Sequence, residues 1–217
     1  MNENQIIKNT VEYVKKSLEK EECGHDWWHA YRVYQMAKYI AKKEGGNLFV
    51  IKLASLLHDI ADWKFHGGSI TKGSELAREW LGTLNVKKSI ITHVCYIIEN
   101  ISFKGAGVSS EMKTIEGKIV QDADRLDAMG AIGIARCFAY GGYKSRPIYD
   151  PKLKPTLHKS FEEYKTKSLT SINHFYEKLL LLKDRMNTKT GRKTAEKKYK
   201  FMEVYLKRFF KEWEGRI

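Results

Sequence analysis

The sequence predicts an all-α protein, on three observations. Only 3 prolines occur in 217 residues, all between Pro147 and Pro155, so the chain on either side can run as uninterrupted helix. Apolar residues recur at helical spacing in segment after segment, and no segment shows the strict alternation of a half-buried strand. With 42% apolar residues the chain can bury a sizeable core, and its length fits one domain or one domain with an appended helical part.

The elements follow in order. Asn4 to Lys20 places Ile6, Ile7, Val11, Val14 and Leu18 on one helical face. Trp28 to Lys43 does the same with Val33, Met36, Ala37, Ile40 and Ala41, and Gly45-Gly46-Asn47 stops it. Leu48 to Ile60 is apolar nearly all round, which suits the centre of a bundle. Gly67-Gly68 lies in a loop, Ser74 to Leu81 is a short helix, and Val86 to Asn100 is another apolar one. Lys104 to Glu111 reads as a mobile loop. Thr114 to Tyr140 is expected as one long core helix, ended by Gly141-Gly142. Tyr143 to Thr156 holds the prolines as a structured excursion. Ser160 to Met186 is expected to be helical, Thr188 to Gly191 a turn, and Thr194 to Trp213 the final helix.

Charge and cysteine content narrow the function classes. The net charge is +13, and it is uneven. From Lys152 onward 18 Lys and Arg face 8 Asp and Glu, whereas the preceding residues carry 21 against 18. The basic third is either a surface for phosphate, nucleic acid or an acidic partner, or a well-solvated lysine-rich helical face. No run of 18 apolar residues suggests a membrane span, and the N-terminal residues lack the pattern of a secretory signal. Cys23, Cys95 and Cys137 form no CxxC pair, so reduced thiols in a cytoplasm are the simplest reading.

Chemistry concentrates in three short motifs. They are His29 within Gly-His-Asp-Trp-Trp-His, the pair His58-Asp59 closing the apolar helix, and Asp124 within Val-Gln-Asp-Ala-Asp-Arg-Leu-Asp. A lone histidine on an apolar face is most often a hydrogen-bonded core residue. What sets these apart is that a buried helix ends in two ionisable groups, and burying unpaired charge is costly. A second acid-rich patch lies on another strongly apolar helix, and two such breaks of pattern in one small protein point to a site. Two imidazoles and two carboxylates suit Mn, Fe, Ni, Co or Zn better than a pure oxygen cage would. His58 and Asp59 can reach one ion if they sit at a helix end facing a cleft.

The order H…HD…D on a helical chain resembles the HD-domain metal-dependent phosphohydrolase superfamily. The pattern falls on His29, His58, Asp59 and Asp124. Further stretches are similar to a bacterial subgroup of (deoxy)nucleoside triphosphate pyrophosphohydrolases: Trp27-Trp28-His29 with Arg32-Val33, Ile101 to Lys104, Gln121 to Asp127, Gly130 to Arg136, and Tyr140-Gly141-Gly142. The resemblance implies an HD-type helical bundle over residues 1–217, with a core at about 20–142 and a basic C-terminal helical extension at about 156–217. It implies one divalent ion per chain, Mn first, with Mg, Co, Ni, Fe or Zn as alternatives, bound by His29, His58, Asp59 and Asp124. It gives Asp62, three residues after Asp59, the role of general base or water-orienting acid, although nucleotidases of the superfamily carry Glu at this offset. The alternative for Asp62 is a surface acid at a helix end.

A phosphorylated small molecule, the partner expected of such a site, needs cations. Lys64, Arg32, Lys104 and Arg136 are the candidates, with Lys144 and Arg192-Lys193 as supplements and Arg125 either structural or functional. His25, His93 and Asp127 are candidates for supporting hydrogen bonds around the ligands. His158 and His174 read as surface or core residues. The competing functions are a 5′-nucleotidase or related phosphoesterase, a basic nucleic-acid-associated protein with a vestigial metal site, and a two-iron oxygenase on the same scaffold. Nucleic acid is the less favoured partner because no recognisable nucleic-acid motif is present. No membrane partner is expected, and a homo-oligomer is left open.

Overall fold

A computed structural model describes residues 1–19, 26–61, 71–102, 111–157 and 170–216. Among these residues the structure is all-α, as predicted, with no strand. The helices are α1 (Glu3–Ser17), α2 (Trp27–Glu44), α3 (Leu48–Leu57), α4 (Lys72–Thr83), α5 (Lys88–Asn100), α6 (Ile115–Asp127), α7 (Gly130–Tyr143), α8 (Ser171–His174) and α9 (Lys189–Trp213). Between α8 and α9 the chain continues as a π turn, Phe175–Leu179, and a 3-10 turn, Leu180–Arg185. None of the described helices is long and apolar enough to cross a membrane. The chain divides into two compact units, Met1–Phe103 with Ser109–Asp124, and Lys104–Val108 with Arg125–Ile217.

The first unit is built around α3. Asn47 caps this helix, its side chain accepting from the backbone N–H groups of Phe49 and Val50. Leu53, Ala54, Leu56 and Leu57 are fully buried, and α3 packs against α1, α2 and α5. Each such large aliphatic side chain stabilises the fold by about 1.5–3 kcal/mol before the entropy of ordering is counted. Opposite faces are supplied by Ile6, Ile7 and Val14 of α1, Val33, Ala37 and Ile40 of α2, and Ile91, Val94 and Ile97 of α5. Helix α4 is tied to α1 by the stack of Tyr13 on Trp80, with ring centroids 4.0 Å apart, and by the Trp80 indole N–H donating to Thr10 Oγ1 at 3.1 Å. Gln121 of α6 donates from Nε2 to the carbonyls of Asn100 and Ile101 at the end of α5, at 3.3 and 3.4 Å.

In the second unit, α9 packs on α7 and on the 3-10 turn. Phe175, Leu179, Leu182, Ala195, Met202 and Leu206 are among its buried apolar residues, and Phe175 stacks on Tyr205 at 5.9 Å. The excursion that holds the prolines is fastened to α8. Ser171 and Ile172 donate their backbone N–H groups to the carbonyls of Pro147 and Ile148, and Asn173 Nδ2 donates to the carbonyl of Leu153. Cys95 and Cys137 are free thiols. Burial pushes Cys137 up to about 12 against the lowering influence of Arg146 and Lys178, so it stays protonated and unreactive near neutrality.

Two expected elements differ. The single helix over Thr114 to Tyr140 is broken into α6 and α7. Met129 is extended (φ −121°, ψ 160°) and Gly130 turns with φ +69°, a region that favours glycine. Gly133 then comes so close to the preceding backbone that a Cβ there would lie 2.2 Å from the Ala128 carbonyl oxygen. The expected turn over Thr188 to Gly191 is the first turn of α9, because Thr188 is its cap and accepts from the Gly191 N–H at 2.9 Å. Of the helix expected over Ser160 to Met186, residues 160–169 lie outside the described residues. The break between α6 and α7 makes Gly133→Ala costly. It is expected to lower stability by roughly 2 kcal/mol or more, read as a drop in the urea midpoint at unchanged slope.

Candidate metal centre

The site lies in the first unit, where the ends of helices meet. Asp26 caps α2 by accepting from the His29 backbone N–H at 2.9 Å, which fixes His29 in the first turn. Helix α3 ends at Leu57 and His58 is its C-cap, so the helix does end at the His-Asp pair as the pattern anticipated. The next turn tightens, with Ile60 N–H donating to the Leu57 carbonyl at 3.3 Å. Asp124 comes from the last turn of α6.

These segments bring their ligand atoms together. His29 Nε2 lies 3.1 Å from His58 Nε2, 3.2 Å from Asp59 Oδ2 and 3.5 Å from Asp124 Oδ1. His58 Nε2 lies 3.6 Å from Asp59 Oδ2 and 3.8 Å from Asp124 Oδ1. His29, His58 and Asp59 form the tightest group, all within 4.8 Å of one another, and Asp124 approaches both imidazoles. Bonds of about 2.1 Å to a single ion put neighbouring donors roughly 3.0–3.4 Å apart, so the His29, His58 and Asp59 group fits one divalent cation, with Asp124 beside both imidazoles.

The imidazole of His58 is oriented by its own helix. Its Nδ1 lies 2.9 Å from the backbone carbonyl of Ser55. A carbonyl only accepts, so Nδ1 carries a proton and Nε2 is the nitrogen that faces the centre. The side chains of His29 and His58 are 0% and 1% exposed, whereas those of Asp59 and Asp124 are 17% and 29% exposed. The centre is therefore buried on the imidazole side and reachable on the carboxylate side.

Other predicted residues fall as follows. Arg32 is half-buried on α2, one turn after His29. His93 lies on α5, with Nε2 3.0 Å from Thr114 Oγ1 and 3.7 Å from Glu116 Oε2, at the start of α6. In the second unit, Arg136 donates to Asp127 Oδ2 at 2.8 Å, and Arg125 donates to the Arg185 carbonyl, a structural bond. His174 is half-buried at the end of α8. Asp62, Lys64, Lys104, His25, His66 and His158 lie outside the described residues. The Ser55 carbonyl was not anticipated, since a backbone acceptor leaves no trace in residue type beyond its position three before a histidine. Glu116 was missed too, because its partner Asn47 is 69 residues away in sequence.

A ligand set of this kind predicts a stability response. Titrating Mn2+ is expected to raise the melting temperature of the wild type, because an ion that binds only the folded state at 100 times its Kd adds about 2.7 kcal/mol. Asp59→Ala is expected to abolish that rise while the metal-free protein still melts cooperatively. An unchanged Mn2+ response in the variant would remove Asp59 from the centre.

The comparisons agree with the geometry. The HD domain family matches residues 27–129, a span that contains His29, His58, Asp59 and Asp124. An HD-superfamily hydrolase from Bacillus thuringiensis is 45% identical, with 98% of this chain and 99% of that one covered and a TM-score of 0.76. A Lactobacillus plantarum protein of known structure is 36% identical over 99% of both chains, with a TM-score of 0.88. YpgQ of Bacillus subtilis, an uncharacterized protein, is 38% identical over 204 residues, 94% of this chain and 91% of its own. The crystal structure of YpgQ in complex with ADP is similar over 97% of this chain and 100% of that one, with a TM-score of 0.75. Four metal-ligand candidates converging in the order H…HD…D, on an all-helical chain with relatives of this kind, place the protein in the HD superfamily of hydrolases.

Proposed function

We propose that the protein hydrolyses (deoxy)nucleoside triphosphates to the monophosphate and pyrophosphate, using one divalent ion, Mn2+ first, held by His29, His58, Asp59 and Asp124. The observation that carries the reading is that the Nε2 atoms of His29 and His58 lie 3.1 Å apart, each within 3.2–3.8 Å of a carboxylate oxygen of Asp59 and of Asp124. The ADP complex of YpgQ supports a nucleotide as the substrate class. A divalent ion bound there supplies Lewis acidity toward a phosphoryl oxygen and acidifies water.

The reaction adds water across the α–β phosphoanhydride. The water oxygen bonds to the α-phosphorus, the P–O bond to the bridging oxygen breaks, and pyrophosphate leaves with that oxygen. Asp62 is the proposed group that orients this water and accepts its proton. Lys64, Arg32, Lys104 and Arg136 are the proposed phosphate contacts. Arg136 would serve while holding Asp127, since a guanidinium has five N–H donors to distribute. Asp127 then fixes the guanidinium plane, and bidentate recognition of phosphate depends on that plane.

Product analysis tests the reading. Wild type with Mn2+ is expected to release pyrophosphate from a panel of (deoxy)nucleoside triphosphates, and Asp59→Ala to release none. Orthophosphate from monophosphates would instead assign a 5′-nucleotidase. Asp62→Asn is expected to retain Mn2+ and lose at least about 100-fold in kcat, the usual scale of general acid–base assistance. Near-normal turnover would take Asp62 out of that role.

A further inference from the structure

Glu116 stands on α6 eight residues before Asp124, outside the ligand set, and its carboxylate reaches two other helices. Oε1 accepts from the backbone N–H of Asn47 at 2.8 Å. Oε2 faces His93 Nε2 at 3.7 Å, with the two side chains 13% and 26% exposed. The same histidine nitrogen lies 3.0 Å from Thr114 Oγ1, which also accepts from the Gly117 N–H at 3.2 Å. The start of α6 is thereby fastened both to α5 and to the cap of α3. The approach is close, since a Cβ on Gly46 would sit 3.5 Å from Glu116 Oε1 and 3.4 Å from Ile115 Cγ2.

The position of this contact matters because of where the two helices lead. The side chain of Asn47 already grips the first turn of α3, so its backbone moves with that helix. Helix α3 is 10 residues long and ends at His58 and Asp59. Helix α6 carries Asp124 in its last turn. A slip of one residue along a helix displaces its side chains by about 1.5 Å. Metal–ligand distances tolerate only about 0.2 Å. A fixed register between the far ends of α3 and α6 is therefore needed for Asp124 to meet the two imidazoles at 3.5 and 3.8 Å.

We propose that Glu116 is a positioning residue for the metal centre, holding α6 in register with α3 so that Asp124 reaches the ion. This rests on the reading that His29, His58, Asp59 and Asp124 bind a divalent cation. The test is Mn2+ affinity of the full chain by titration calorimetry, at a temperature where circular dichroism shows each variant folded. Wild type is compared with Glu116→Ala, Glu116→Gln, Glu116→Asp and Leu81→Ala, the last truncating a fully buried side chain of α4. Glu116→Ala is expected to bind Mn2+ about ten-fold more weakly, the lower end of what supporting residues contribute at metal sites. Glu116→Gln keeps an oxygen acceptor for Asn47 and is expected to restore affinity close to wild type. Glu116→Asp keeps the charge, withdraws the oxygen, and is expected to weaken binding even if the alanine variant does not fold. Leu81→Ala is expected to lower the melting temperature without weakening Mn2+. Wild-type affinity in Glu116→Asp, or a loss in Glu116→Ala no larger than in Leu81→Ala, would overturn the proposal. A wild type that takes up no Mn2+ would overturn the metal reading itself and this inference with it.

Discussion

The way α3 ends is the constraint on which the site depends. A helix buried on nearly every face cannot finish in a histidine and an aspartate unless both are given partners, because the cost of burying an ionised group unpaired exceeds most single contributions to stability. His58 meets part of this within its own helix by donating Nδ1–H to the Ser55 carbonyl at 2.9 Å. That bond also fixes the tautomer and aims Nε2 at His29 Nε2, 3.1 Å away. Two carboxylates then close on the same point. Two negative charges beside the same pair of imidazoles call for a counter-charge, and a divalent cation is the partner that answers both.

Much of this was legible in the sequence, and the parts that were not have physical reasons. The ends of α2 and α3 carried local signals: Gly45-Gly46 stops one helix, Asn47 caps the next, and the apolar run gives way at His58-Asp59. Those signals place His58 and Asp59, two of the four ligand candidates, before any tertiary contact is known. The break between α6 and α7 was hidden because the apolar spacing continues through Leu126, Met129 and Ile134 as though the helix did. Only the two glycines, Gly130 and Gly133, mark the junction, and glycine is also tolerated inside helices. The Thr188 to Gly191 segment misled for a related reason: cap residues and turn residues are the same chemical types, since both work by side-chain bonds to backbone N–H groups. The Ser55 carbonyl and the Asn47–Glu116 bond belong to a third kind. They are made by backbone atoms, and every residue has those.

Exposure across the centre follows its chemistry. The imidazoles are buried, while the carboxylates border solvent. The polyanionic substrate of the proposed reaction would approach from the acidic side, where its phosphates and the two aspartates repel. A cation bound there would reverse the sign of that field locally. The near balance of charge in the first 151 residues, 21 basic against 18 acidic, means that this attraction has to come from particular side chains rather than from net charge.

Arg32 illustrates how the fold can supply such a charge without a separate scaffold. It stands three residues after His29 on α2, so the Asp26 cap that fixes the imidazole fixes its backbone as well. Residues three apart share a helical face, and a long side chain at that offset can lean toward the turn that holds the ligand. A guanidinium there does not compete for the ion, because it has no lone pair to offer, yet it carries five donors suited to phosphate oxygens. On the proposed reading, one capped helix start serves two tasks, metal ligation by His29 and phosphate attraction by Arg32, with a single set of backbone bonds. The proposed grip of Glu116 on Asn47 follows the same economy at the other end of α3, where one carboxylate sets the register of the helix that brings Asp124.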